Sequence, residues 1–285
     1  TTSAYNGYGV SCNGGSNGAL TISVGTTAYP IQYAWSTGAV NTVNAQSNTI
    51  TGLQAGAYSV TATDAGGCAA SFTATLTQPP ALALSFTNSN YNGFNVSCNG
   101  SSDGTSTVTP TGGPNATYSY AWSTGALTNQ ITARPAGTYQ VTVTDANSCT
   151  IVGSTTLYEP SAVGFTYSVG YVCSGNSYVS ATVTIIASGG TGSYTYSSNG
   201  GGAYQGSNEF LGLANNSTVI LKVKDSNGCE SASQSVTINF PPNGQAVGDC
   251  GYIYVAPYGD PNGTLGTKAC PVQSIVQAIS IYNGK

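Results

Sequence analysis

Eight cysteines are the residues of this 285-residue chain best suited to covalent chemistry. A cysteine metal site needs closely spaced Cys or His ligands, and the chain has neither a Cys-x-x-Cys pair nor any His. The first six cysteines instead form local pairs between 51 and 56 residues apart. We therefore predict disulfides within local segments: Cys12–Cys68, Cys98–Cys149, Cys173–Cys229 and Cys250–Cys270.

Such bridges have consequences for stability and location. Closing a loop of this length stabilises a domain by roughly 4 kcal/mol in the loop-entropy model. Disulfides persist in oxidising compartments, so we predict a secreted, extracellular protein.

Aspartates accompany the cysteines. Asp64, Asp145 and Asp225 stand shortly before the second cysteine of each pair, and Asp103 lies in a Ser-Asp-Gly turn. Short acids either cap turns or, when clustered, bind calcium. We predict turn capping and keep calcium as the alternative; no other cofactor is expected.

Composition limits the functions open to the chain. Charged residues make up 5% of the sequence, with five Lys/Arg and nine Asp/Glu. This leaves little equipment for acid–base catalysis, so we predict that the protein is not an enzyme. The net charge of −4 argues against a nucleic-acid partner. No apolar stretch is long enough to predict a membrane span.

The cysteine pairs belong to a sequence repeat of about 80 residues. Val-Ser-Cys-Asn-Gly occurs at 10–14 and 96–100, and Ala-Gly-x-Tyr-x-Val-Thr-x-Thr-Asp-Ala at 55–65 and 136–146. A third copy is divergent. We name residues 1–80 repeat 1, 81–160 repeat 2 and 161–242 repeat 3.

Each repeat predicts about seven short strands separated by Gly, Pro and Asn turns. Tyr118, Tyr120 and Trp122 alternate with Ser and Ala, which indicates one buried aromatic face. Trp35 belongs to the same pattern, and Tyr58 and Tyr139 follow Ala-Gly as in a tyrosine corner. The predicted fold is all-β: three tandem immunoglobulin-like sandwiches.

Aromatic residues also suggest sugar binding, and the alternative candidates for glycan contact are the loop tyrosines Tyr5, Tyr8 and Tyr91. Proline-containing joints end each repeat, and we expect them to make the array a semi-rigid rod. Residues 243–285 predict a further domain that opens with a strand, a loop and a helix.

The run Val-Ser-Cys-Asn-Gly-Ser-Ser-Asp-Gly-Thr, then Tyr-x-Tyr-x-Trp-Ser, then Ala-Gly-Thr-Tyr-x-Val-Thr-Val-Thr-Asp resembles the SprB-type repeat. That family occurs in large cell-surface adhesins of Bacteroidetes, including gliding-motility adhesins exported by type IX secretion. The resemblance covers 85–160 and 5–80 well, and repeat 3 less well. It implies adhesion at the cell surface.

The tail motif Tyr-Ile-Tyr-Val-Ala-Pro, followed by Gly-Asp-Pro-Asn-Gly-Thr, resembles the opening of a right-handed parallel β-helix domain. The resemblance implies a β-helix cap at 243–285, with the coils beyond it.

Together these features predict the stalk of a secreted adhesin, whose partners are extracellular glycans or proteins, or copies of itself. Two alternatives stay open. One is a subunit of a self-assembling extracellular filament or sheath, and the other is a set of accessory repeats on a polysaccharide-acting β-helix enzyme.

Overall fold

The computed structural model describes residues 1–174 and 177–241, apart from the side chain of Cys173. The predicted cap at 243–285 and the Cys250–Cys270 pair lie outside these residues. The described residues form an all-β structure in which the strands fall into three runs of six, one run in each repeat.

The first run lies within repeat 1. Its strands are β1 (Gly18–Ser23), β2 (Ile31–Trp35), β3 (Val40–Val43), β4 (Ser47–Leu53), β5 (Gly56–Thr63) and β6 (Ala69–Leu76). They form a two-stranded sheet of order β1-β4 and a four-stranded sheet of order β3-β2-β5-β6.

The second run lies within repeat 2. Its strands are β7 (Ala83–Asn88), β8 (Gly104–Thr111), β9 (Tyr118–Trp122), β10 (Gln130–Arg134), β11 (Gly137–Asp145) and β12 (Thr150–Leu157). The two sheets have the orders β10-β8-β7 and β12-β11-β9.

The third run lies within repeat 3. Its strands are β13 (Gly164–Ser174), β14 (Ser177–Ser188), β15 (Tyr194–Ser197), β16 (Glu209–Leu213), β17 (Thr218–Asp225) and β18 (Gln234–Thr237). The orders are β13-β14-β16 and β15-β17-β18, and all pairings between strands are antiparallel.

Alternating side chains build the cores between paired sheets. In repeat 1, Leu20 and Leu53 of one sheet pack in a single buried cluster with residues of the other sheet. Those residues are Ile31, Tyr33, Trp35, Val60, Ala62 and Leu76. Contribution from both sheets defines a sandwich, which matches the predicted architecture at this level.

The aromatic face lies where alternation places it. Trp35 and Trp122 are buried, whereas Ser119 and Ala121 are exposed. The indole Nε1 of Trp35 donates to Asn48 Oδ1 at 2.9 Å, and that of Trp122 donates to the Thr128 carbonyl at 2.9 Å. The tryptophans therefore serve as core residues whose polar atoms are satisfied.

The chain divides into two compact units. The first combines Thr1–Ser89 with Gly104–Leu157, and the second combines Asn90–Asp103 with the described residues from Tyr158 onward. Residues 90–103, which contain the second Val-Ser-Cys-Asn-Gly motif, thus belong to the same unit as repeat 3.

Candidate functional site: the cysteine hairpins and their partner turns

The cysteine motif lies on a short loop, which we call the hairpin, formed by residues 5–17 in repeat 1 and 91–103 in repeat 2. Each hairpin begins with a tight turn, bridged between Tyr5 and Tyr8 in the first and between Tyr91 and Phe94 in the second. A tyrosine hydroxyl also links the two ends of each hairpin. Tyr5 Oη donates to the Asn17 carbonyl at 3.3 Å. Tyr91 Oη donates to the Asp103 carbonyl at the same distance.

Each hairpin is anchored to the residues that follow the last strand of its own repeat. The amides of Gly9 and Val10 both donate to the Thr77 carbonyl, at 2.9 and 3.1 Å. In the second hairpin, Asn95 and Val96 donate to the Tyr158 carbonyl in the same way. Both valines are fully buried.

The Asn-Gly pair of the motif binds the proline joint. Asn13 Nδ2 donates to the Pro79 carbonyl at 3.0 Å, and the Gly14 amide donates to Gln78 Oε1 at 2.8 Å. The second copy repeats both contacts. Asn99 Nδ2 donates to the Pro160 carbonyl, and the Gly100 amide donates to a carboxylate oxygen of Glu159. The motif therefore holds the chain where one repeat passes into the next.

The partner of each hairpin is a turn of the following repeat. Asp145 Oδ1 accepts hydrogen bonds from the Asn147 and Cys149 amides at 2.8 and 2.9 Å. Asp225 makes the same two bonds in repeat 3, to Asn227 and Cys229. The aspartate thus shapes the turn and positions its cysteine.

The disulfides join hairpin to turn across the repeats. Cys12 bonds Cys149, and Cys98 bonds Cys229, with Cα–Cα separations of 5.7 and 5.6 Å. The predicted pairs Cys12–Cys68, Cys98–Cys149 and Cys173–Cys229 are therefore wrong. Cys68 is a free, exposed thiol.

The geometry of a repeat explains the correction. The hairpin binds residues just after β6, whereas Cys68 lies just before β6 begins. Eight extended residues span about 26 Å, and a disulfide requires Cα atoms within roughly 7 Å. In repeat 2, likewise, the hairpin amides bind Tyr158 just after β12, whereas Cys149 lies just before β12 begins.

An asparagine close to each turn cysteine adds a hydrogen bond between the turn and the hairpin. Asn147 Nδ2 donates to the Ser11 carbonyl at 2.8 Å, and Asn227 Nδ2 donates to the Ser97 carbonyl at 3.0 Å. Sequence reasoning missed both asparagines. The sequence feature that distinguishes them is their position. They stand two residues after the turn aspartate, where repeat 1 has Gly66 instead.

The four calcium candidates are used as caps. Asp64 Oδ1 accepts the Gly66 and Cys68 amides at 3.0 Å, and Asp103 Oδ1 accepts the Ser97 amide at 3.0 Å. In the first hairpin, Asn17 Oδ1 accepts the Ser11 amide as Asp103 Oδ1 accepts the Ser97 amide in the second. A neutral side chain can therefore make this contact. Within the described residues, no three Cys, Asp or Glu side chains gather as a metal site requires.

Tyr58 and Tyr139 hold the backbone before their strands. Tyr58 Oη donates to the Gln54 carbonyl at 2.9 Å, and Tyr139 Oη donates to the Pro135 carbonyl at 2.8 Å. A hydroxyl bonded a few residues upstream is the contact that a tyrosine corner makes.

Comparison with known proteins finds one family match, which lies within repeat 2 and begins in the second hairpin. The SprB repeat family matches residues 94–127, which include Cys98 and Trp122. No curated protein matches the chain. In the described residues, no helix has the length and hydropathy that crossing a bilayer requires. The disulfides and the family match are consistent with an extracellular or cell-surface protein.

Similar solved structures include immunoglobulin-type proteins. An amphioxus IgVJ-C2 molecule is 16% identical over 51% of this chain and 98% of its own, with a TM-score of 0.24. A titin segment is 14% identical over 81% of this chain and 96% of its own, with a TM-score of 0.26. Domains of the S-layer protein SbsC are 14% identical over 73% of this chain and 79% of their own, with a TM-score of 0.20.

Proposed function

We propose that the chain is a stalk segment of a secreted cell-surface adhesin, in which each repeat is covalently fastened to the next. The observation that carries the proposal is the Cys12–Cys149 bridge, because it joins the hairpin of one repeat to a turn of the following one. A bridge inside a single repeat stabilises that repeat alone. A bridge between repeats also limits how far the chain can extend when one of them unfolds.

The chemistry of the joint suits a load-bearing role outside the cell. The first joint combines a disulfide with uncharged contacts, from the Asn13 side chain to the Pro79 carbonyl and from the Asn147 side chain to the Ser11 carbonyl. Interactions between neutral groups are not screened by salt as surface ion pairs are. The SprB match supports adhesion as the purpose of the array, and export by type IX secretion and a part in gliding belong to the same proposal.

Surface display is tested on the producing bacterium. Antibodies raised against the oxidised chain should label intact cells, and external protease should remove the label without lysis. Deleting the gene should reduce attachment to a glycan- or protein-coated surface. Label that is found only after permeabilisation would contradict the proposal.

Electron microscopy separates the stalk from the filament alternative. Purified oxidised chain at micromolar concentration should remain as single molecules if it is a stalk segment. Ordered fibres or sheets would instead make the repeats a self-assembling building block. An extracellular enzyme with these repeats as accessory domains would require catalysis by residues outside those the structure describes.

A further inference from the structure

Repeat 1 has an open position in one sheet. β8 lies between β10 and β7, and β14 lies between β16 and β13, so each has a strand on both sides. In repeat 1 the equivalent strand, β1, pairs with β4 alone. Among residues 1–174 and 177–241, no strand takes the place of β7 beside β1; an isolated bridge joins Thr2 to Leu20.

The residues that do pair with β1 fix the register of the open position. The Ser3 amide donates to the Ala19 carbonyl at 2.9 Å, as the Ser89 amide donates to Thr105 at 3.0 Å. Ser3 therefore corresponds to Ser89, and Thr1 to Thr87. A strand running into Thr1 in this register would occupy the place that β7 fills in repeat 2.

An apolar groove lies at this place. It has a volume of about 270 Å³ and is lined by the side chains of Leu20, Ile22, Trp35, Val60 and Phe72, among others. Phe72 is 61% exposed. An exposed aromatic residue beside an unpaired strand edge is a favourable site for strand addition.

Repeat 2 shows how such a groove is filled. Phe86 of β7 packs edge-on against Trp122, the counterpart of Trp35, with ring centroids 6.3 Å apart. A Cβ on Gly153 would lie 2.7 Å from a methyl group of Leu84 and 3.1 Å from the ring of Phe86. Phe72 stands at the position of Gly153, since it pairs with Val60 as Gly153 pairs with Val141. The strand that fills repeat 1 therefore needs a small residue where β7 has Phe86.

The free thiol provides a second, independent observation. The turn that carries Cys68 has the same aspartate caps as the turns of Cys149 and Cys229. Both of those cysteines are bonded to a hairpin cysteine from the preceding repeat. Cys68 alone of the three is exposed and free. A second opening of about 210 Å³ lies beside it, lined in part by Val24 and Ala69.

We propose that this groove and Cys68 together form the docking site for a further repeat of the same kind, placed directly before Thr1. Its terminal strand adds to β1, and its hairpin cysteine bonds Cys68. The two thiols transfer two electrons and two protons to a small disulfide oxidant, which is reduced to two thiols. The proposal rests on the proposed array function and names the partner of this end of the array.

The test is the full chain preceded by a second copy of residues 1–86, with Phe86→Ala and Cys68→Ser in the added copy, so that the full chain holds the single Cys68 thiol to be followed. Residue 86 of the added copy then stands directly before Thr1, in the register of β7. After oxidation with glutathione disulfide, peptide mapping should find the added Cys12 bonded to Cys68. Alkylation of Cys68 should fall at least about tenfold, because the thiol is consumed.

Hydrogen exchange tests the strand separately from the bridge. Ser23 and Gly25 correspond to Thr109 and Thr111, which pair with β7. Their amides should exchange at least about tenfold more slowly in the extended chain. Cys68→Ser should keep this protection, since the added strand needs no disulfide to pair.

A matched control replaces residues 82, 84 and 86 of the added copy with Ser, which keeps the hairpin but removes the apolar strand. This control should lose the exchange protection. Unchanged exchange and full alkylation of Cys68 in the Phe86→Ala extension would overturn the proposal. A disulfide-linked dimer of the unextended chain through Cys68 would overturn it in favour of assembly between chains. None of these readouts depends on surface display, so a failure of either proposal can be recognised separately.

Discussion

Each residue of Val-Ser-Cys-Asn-Gly has a separate task at the joint. In the first copy, Val10 is buried and its amide binds the residue after β6, while Cys12 forms the covalent link. Asn13 and Gly14 bind the proline joint itself. Because these contacts repeat in the second copy, the motif is best understood as a connector between repeats.

Asn147→Asp should weaken the joint at the first bridge. The amide that donates to the Ser11 carbonyl becomes a carboxylate oxygen facing an acceptor, which costs about 1–3 kcal/mol. Local opening should become more frequent, and reduction of Cys12–Cys149 by dithiothreitol should accelerate at least about fivefold. The Cys98–Cys229 bridge, held by Asn227, provides an internal control and should react at its original rate. Equal rates before and after the change would show that Asn147 does not hold the joint closed.

Sequence patterns predicted the core better than the cross-links. Alternation alone placed Trp35 and Trp122 inside, since side-chain direction in a strand follows from the period of two. The partner of Cys12 depends instead on which end of a repeat the hairpin binds. That choice rests on backbone contacts to Thr77, and both Cys68 and Cys149 stand in equivalent sequence contexts. The cysteine spacing therefore could not distinguish the two pairings.

At the scale of elements, the repeats differ most in the strand beside β1, β8 and β14. Repeat 3 has the long antiparallel strand pair β13 with β14, and in repeat 2 the cysteine hairpin lies between β7 and β8. Strand alternation could predict neither difference, because both concern which edges are paired.

Repeat 3 carries a cluster of charged side chains beside β17. Glu230 pairs with Lys222 and with Lys224, the latter at 2.9 Å, and Lys224 lies over the ring of Tyr204. Hydrogen bonds from the two lysines lower the pKa of Glu230 to about 2. Burial, with Glu230 nearby, raises the pKa of Tyr204 to about 12.

Glu230→Gln should lower the thermal midpoint of repeat 3 in a pH-dependent manner. The folded pKa of about 2 lies below the ordinary value of 4.5, so the carboxylate stabilises the fold fully above pH 4.5. This contribution is lost as the pH falls towards 2. Because the side chain is 33% exposed, we expect at most about 1 kcal/mol, or a few degrees. Calorimetry from pH 7 to pH 2 should show the two midpoints converging, with Glu209→Gln as the control for loss of charge. A constant difference across this range would exclude the ion pairs as its cause.

At the scale of the whole molecule, the two bridges enclose overlapping stretches of the chain. Cys12–Cys149 spans 137 residues and Cys98–Cys229 spans 131, so residues 98–149 lie within both. In the loop-entropy model a loop of 137 residues stabilises the folded state by about 5 kcal/mol. The larger consequence is mechanical: three chain segments run in parallel between the two bridged pairs, and the shortest of them, residues 98–149, limits how far the chain can be pulled while the bridges hold.

Force spectroscopy measures this enclosure directly. In a Cys98→Ser/Cys229→Ser variant, the Cys12–Cys149 bridge should hide 137 residues from extension. Reduction should therefore add roughly 450–490 Å of contour length, at about 3.3–3.6 Å per residue. Adding Cys12→Ser to this variant should abolish the difference between oxidised and reduced traces. A bridge from Cys12 to Cys68 would release only roughly 190 Å, so a gain of that size would contradict the bond between repeats and with it the covalently continuous stalk.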